Sequence, residues 1–129
     1  MSDPDVKKVL TKTISSSLKA IEAHRQKTVM ANQQISVLNS QIESLNIKFR
    51  RSQLIESELV TLPEDVATYK ACGRMFIKKT RETLIEDIKK DRDKVTDSIE
   101  ISQKARDAVN NELSESKEAL RELLSSKQS

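Results

Sequence analysis

Leu62-Pro63-Glu64-Asp65-Val66-Ala67-Thr68-Tyr69-Lys70-Ala71-Cys72-Gly73-Arg74-Met75-Phe76-Ile77 is the stretch where the character of this chain changes. It holds the only interior Pro and the only Gly, together with the single Tyr, one of two Phe and the single Cys. The Pro63 ring opposes continuation of a helix. Gly73 can take the positive φ that a tight turn often needs. Thr68–Ile77 therefore reads as two short strands about a turn at Gly73, inside a connector over about 56–79.

On either side the pattern is helical. Asp3 is a candidate cap and Pro4 suits a first helical position. From there a seam in steps of four and three runs Leu10, Ile14, Ser17, Ile21, His24, Thr28, Ala31, Ile35, Leu38, Ile42, Leu45 and Phe49, nine of the twelve apolar. This predicts a first helix over about 4–55. A second seam runs Leu84, Ile88, Asp91, Val95, Ile99, Ser102, Ala105, Val109, Leu113, Ser116, Leu120, Leu123, and predicts a helix over about 80–126. The step from Val95 to Ile99 breaks the alternation and reads as a stutter. A heptad sustained this long needs another helix against it. Two arms of similar length, each about 70 Å at 1.5 Å per residue, would meet if the chain folds back at the connector. The expected class is mostly α: a long antiparallel two-helix coiled coil joined by a short β-hairpin, all one domain.

Composition supports exposed helices and excludes several functions. Charged residues are 33% and aromatic residues 2% of the chain. Residues 1–60 hold nine Lys+Arg against six Asp+Glu, and residues 61–129 hold fourteen of each. That balance, with few aromatics for base stacking, speaks against nucleic acid as a partner. No apolar run approaches membrane-spanning length, so no membrane is expected. MSDPDVKKVL lacks the apolar core of a signal peptide, no Asn-x-Ser/Thr acceptor occurs, and one Cys cannot form an internal disulfide. A reducing setting, cytoplasmic or nuclear, fits best, and we take it as cytoplasmic. With a single Gly there is no phosphate-binding loop, and no cofactor or metal is implied. His24 and Cys72 lie far apart in sequence with no orienting third group, so no catalytic residues are assigned and no enzyme is expected. His24 reads as a polar seam residue and Cys72 as a small turn residue.

The connector demands partners. A lone two-stranded hairpin is marginal in water and its open edges invite pairing. A single helix pair also buries little for its length. Strands from other chains would then complete a larger sheet or barrel. Tyr69, Gly73, Met75, Phe76 and Ile77 are the candidate assembly residues. Core or inter-subunit packing is the plainer reading of their apolar side chains. Arg74 could contact a neighbour or stand in solvent.

Near the chain ends, apolar content exceeds what one seam uses. Val6, Val9, Leu10, Ile14 and Leu18 on the first arm, and Leu113, Ala119, Leu120, Leu123 and Leu124 on the second, span more than a narrow stripe. The seam between them is weak at Ser17, His24, Thr28 and Ser116, which favours fraying. Such surface can hold exposed apolar segments of another protein, or it can serve ordinary helix packing. Two function classes remain: a holdase that binds non-native chains, and a plain coiled-coil scaffold or tether such as a parallel dimer.

Two heptad helices flanking Tyr69-x-x-x-Gly73-Arg74-Met75-Phe76-Ile77, preceded by Leu62-Pro63-Glu64-Asp65, resemble the β-type subunits of the prefoldin family. The likeness of layout covers nearly the whole chain; the motif itself is short. The resemblance implies a hexamer of α-type and β-type subunits, with hairpins building a double β-barrel body and coiled coils hanging from it. It also implies an ATP-independent co-chaperone that captures unfolded actin and tubulin at its coiled-coil tips and passes them to the cytosolic group II chaperonin.

Overall fold

The computed structural model describes residues 4–63 and 66–128, with side chains described as far as Ser126. Asp3, the expected first cap, and Glu64 and Asp65 of the connector lie outside them. Four elements follow one another: α1 (Pro4–Thr61), β1 (Thr68–Cys72), β2 (Met75–Lys79) and α2 (Arg81–Gln128). Two long helices with an antiparallel two-stranded hairpin between them are the expected fold class.

α1 runs six residues past the expected end near 55, to Thr61. The sequence hid this because the seam beyond Phe49 continues through polar residues. Ser52 and Glu56 are half-buried and Leu59 is buried, still in steps of three and four. Pro63 then ends the helix, because it lacks the N–H donor and disfavours helical backbone at Leu62 before it.

The hairpin has a two-residue loop. Cys72 pairs with Met75, leaving Gly73 and Arg74 at the tip. Gly73 has φ 62°, and no non-glycine residue among those described has positive φ. Positive φ at the first loop position alone is the type II′ pattern, whose twist matches that of the strands. Nothing lies near Gly73, so the demand for glycine is one of backbone conformation and not of space.

α2 opens with a side-chain cap: the Thr80 hydroxyl accepts the amide of Thr83 at 3.2 Å. Arg81 reaches back to donate to the carbonyl of Leu62 at 2.6 Å, so the start of α2 is tied to the chain just after α1.

The chain divides into two compact units, residues 1–39 with 104–129 and residues 40–103. In the terminal unit, Arg106 donates to the Asn39 side chain at 3.1 Å and His24 Nδ1 lies 3.0 Å from Ser116 Oγ. In the connector unit, Glu56 pairs with Arg92 at 2.5 Å and with Lys89 at 3.8 Å. Within each unit the α1 and α2 segments are therefore antiparallel, and both chain ends belong to the same unit. The continuous helix that a parallel dimer would require is not what this chain forms. Among the described residues only the apolar Ala31, Ile42, Leu59 and Leu84 are buried, all on the seam, and none of them completely.

The buried sides correct the expected seams. On α2, Arg92 and Arg106 are half-buried in place of Asp91 and Ala105, and Leu124 in place of Leu123. With Arg92 inward, the steps Ile88–Arg92–Val95–Ile99 alternate regularly, so no stutter falls at Val95. Long arginine stems cover apolar surface while their heads reach a polar partner, here Glu56 and Asn39. The consecutive four-residue steps lie elsewhere: Ala20–His24–Thr28 on α1 and Ser116–Leu120–Leu124 on α2 in the terminal unit, and Leu84–Ile88–Arg92 on α2 in the connector unit.

Candidate functional site

Two surfaces stand out, one in each unit. The first is the hairpin. Side chains alternate across a strand, so the register assigns each residue to a face. Thr68, Lys70, Cys72, Met75, Ile77 and Lys79 share one face; Tyr69, Ala71, Phe76 and Lys78 share the other. The sequence had grouped Tyr69, Met75, Phe76 and Ile77 without this distinction. All four are exposed, Phe76 at 74% and Met75 at 70%. Large apolar side chains left this open on a two-stranded sheet form a surface that water solvates poorly.

The face carrying Lys70 and Lys79 is anchored to α2. Lys79 Nζ lies 2.9 Å and Lys70 Nζ 3.3 Å from the same carboxylate oxygen of half-buried Asp87. The Thr68 hydroxyl adds a bond to the carbonyl of Lys79 across the strands. Asp87 thus ties both strands to the second turn of α2, which leaves the Tyr69–Phe76 face turned away from that anchor. In the sequence Asp87 is one of several acids near the start of the second helix. The usable signal was Lys70 and Lys79 on one hairpin face with a carboxylate shortly after them.

The bond from Lys79, above all, holds the Asp87 carboxyl below its ordinary range; Lys70 adds to this and partial burial works against it. A carboxylate depressed in the folded state contributes stability that is complete above the unfolded value and is lost as pH falls through the folded one. Amide protection in β1 and β2, referenced to intrinsic exchange at each pH, is therefore expected to drop as pH falls below about 4, the ordinary range for Asp. Asp87→Asn should lower protection at neutral pH and remove that dependence. Unchanged protection in the variant would show that the clasp does not hold the hairpin.

The second surface is at the chain ends. The sequence placed Ile14 and Ile21 on the seam, but the structure turns them out. Its half-buried line there is Thr13, Ser17, Ala20, His24 and Thr28. The cause is a polar layer. Ser116 Oγ lies 3.0 Å from His24 Nδ1, Thr28 Oγ1 lies 3.4 Å from Nε2, and the Thr28 hydroxyl donates to the His24 carbonyl at 2.8 Å. One proton arrangement satisfies all three: Ser116 donates to Nδ1 and Nε2–H points at Thr28. With residues 24 and 28 both held inward, the seam toward the N-terminus follows the straight-helix period more closely than the supercoil's.

The consequence is a helix with two different faces. Small or polar Thr13, Ser17 and Ala20 occupy the inner line, whereas Leu10, Ile14, Leu18 and Ile21 run down an open flank. Leu10, Ile14 and Leu18 are between 56% and 60% exposed, and Val6 and Val9 are open as well. Ile14 and Leu18, with Thr11, Ser15, Lys19 and Glu22, line a shallow depression. The α2 residues divide differently. Leu113, Leu120 and Leu124 are half-buried on the seam line, and Leu123 is the more open at 39%. Of the ten apolar residues expected at the tips, the five on α1, Ala119 and Leu123 are the available ones. Ile21 joins them, although the sequence had placed it inside.

Among the described residues no group of three or more His, Cys, Asp or Glu side chains is placed to hold a metal. Cys72 is an exposed thiol at the end of β1, and His24 is engaged in its polar layer. No helix of the described residues is long and apolar enough to cross a membrane.

An exposed apolar β-hairpin in one unit and an open apolar flank in the other define a subunit built for binding other chains. The comparisons agree with this class. A family model for prefoldin subunits matches residues 22–127, and the chain belongs to that family of chaperone components. It is 24% identical over 106 residues to prefoldin subunit 1 of Homo sapiens and of Mus musculus, covering 82% of this chain and 87% of each relative. The fold is similar to the crystal structure of the prefoldin beta subunit from Thermococcus strain KS-1, with TM-score 0.72 and 17% identity over 79% of this chain and 90% of that one. The beta2 subunit from the same strain matches with TM-score 0.59 and 22% identity over 68% of this chain and 97% of that one. Prefoldin subunits assemble into hetero-oligomers with other prefoldin subunits.

Proposed function

We propose that the whole chain acts as one β-type prefoldin unit in a cytoplasmic hexamer of α-type and β-type subunits that captures non-native proteins without ATP. The observation that carries this reading is the pairing of two open apolar surfaces on one chain of the family. The hairpin residues Tyr69, Met75, Phe76 and Ile77, on a loop shaped by Gly73, join neighbouring subunits. The flank formed by Leu10, Ile14, Leu18 and their neighbours Val6 and Val9, with Leu123 across the unit, takes the client. Leu113, Leu120 and Leu124 contribute chiefly by shaping the pair of helices that presents that flank.

Both surfaces are apolar and nondirectional, which suits a holdase that must accept varied sequences and release them. Several arms gripping one chain raise its hold without a tight single site. Unfolded actin and tubulin are the proposed clients and the group II chaperonin the proposed acceptor, as the likeness to prefoldin subunit 1 suggests. The test is suppression of aggregation of chemically denatured actin by the complex purified with this chain. Protection without nucleotide, followed by transfer to added group II chaperonin, is the expected result. A complex that assembles but leaves aggregation unchanged would favour a scaffold.

A further inference from the structure

We infer that the open flank of α1 is a charge-selective site, which takes apolar client segments bearing acidic side chains in preference to basic ones. This deepens the proposed client-binding function and rests on it. The apolar stripe Leu10–Ile14–Leu18–Ile21 advances in steps of four, four and three. At 100° per residue Lys7 falls in line with Leu10, Ile14 and Leu18 at the N-terminal end, and beyond Thr11, Ser15 and Glu22 on the outer side lies a row of Lys8, Lys19 and Lys12, of which Lys19 lines the depression. All four lysines are exposed, and none takes part in an ion pair among the described residues.

The acidic residue on the same depression is already occupied. Glu22 is gripped by Arg25 through two bonds of 2.6 and 2.9 Å, and that grip holds its carboxyl below the ordinary range. The stripe therefore has an apolar floor and a cationic rim of Lys7, Lys8 and Lys19 that forms no ion pair among the described residues. A client segment laid along Ile14 and Leu18 sets its own flanking side chains beside Lys7 and Lys19. Carboxylates there are attracted and ammonium groups repelled, and like-charge juxtaposition discriminates strongly between ligands of similar apolar content. Interactions between exposed charges are screened by salt, so the preference is expected to fade as salt rises.

The test uses the complex purified with the full chain and two fluorescent peptides. They share the same Leu and Ile positions but carry Glu or Lys at every other site. The acidic peptide is expected to bind about tenfold more tightly at low salt, with the gap closing toward 1 M salt. Replacing the rim, Lys7→Glu with Lys8→Glu and Lys19→Glu, should reverse the order. Equal binding of the two peptides, or a preference that the triple variant leaves intact, would overturn the inference. Ile14→Ser with Leu18→Ser separates the two levels. If it abolishes capture of both peptides while the rim variant changes nothing, the client site stands and only its charge selectivity falls. If it leaves capture unchanged, the client site itself is elsewhere. Vesicles of phosphatidylcholine and phosphatidylserine are the remaining arm. Binding to them with no discrimination between the peptides would make the flank a membrane contact and would also overturn the inference.

Discussion

Changing Phe76→Asp together with Tyr69→Asp is expected to leave a folded helical chain that no longer enters the oligomer. Both rings sit on the hairpin face opposite the Lys70–Lys79–Asp87 clasp, and both are largely exposed in the single chain. Nothing inside the chain depends on their packing, so the helical signal in circular dichroism should stay the same. Burying an aromatic side chain against a partner is worth about 1.5–3 kcal/mol. Losing two, and placing two carboxylates in an apolar contact, would weaken association by ~10³-fold or more at ~1.4 kcal/mol per tenfold. Sedimentation velocity of the variant with co-expressed partners should show a lone chain. Retention of the full complex would remove the hairpin from the interface. Cys72→Ser, on the other face and already exposed, is the matched control and should assemble normally.

The second large effect concerns the chain ends. Leu10→Ser, Ile14→Ser and Leu18→Ser together should leave assembly intact and cut client capture by at least about tenfold. Each side chain is more than half exposed, so the substitutions remove little internal packing. Partial burial against a client contributes about 1 kcal/mol per side chain, near the lower end of the usual range for aliphatic groups. The comparison variant, Leu120→Ser with Leu124→Ser, should behave differently. Those residues are half-buried on the α2 seam, so replacing them is expected to lower helix protection in the terminal unit as well as capture. Hydrogen exchange separates the two outcomes: unchanged protection with lost capture for the α1 set, and lost protection for the α2 set. If the α2 pair alone abolished capture with protection intact, the client would sit on α2 and not on the flank.

These expectations depend on a difference between seam and flank that only the folded chain reveals. Periodicity alone made Ile14 and Ile21 seam residues, because they are apolar and correctly spaced. The folded unit prefers a hydrogen-bonded layer of His24, Thr28 and Ser116, and the helix phase set by that layer turns the larger side chains outward. The same principle operates in the connector unit, where Arg92 displaces Asp91 because its stem can lie on the seam and its guanidinium can reach Glu56. A rule that ranks positions by hydrophobicity cannot see either case. What stabilises them is the pairing of two polar groups far apart in sequence.

Features of this chain that follow from neighbours in sequence were determined by the sequence itself. The two helices follow from their heptads, the end of α1 from Pro63, the turn from Gly73, and the start of α2 from the Thr80 hydroxyl. The tertiary structure alone decided which side of each helix is buried, which face of the hairpin is anchored through Asp87, and hence which apolar residues are left open for other molecules. The physical reason is that steps of 3.5 and 3.6 residues differ too little to choose a face over one or two turns. The choice falls to long-range contacts, and here a few hydrogen bonds and ion pairs between the arms make it.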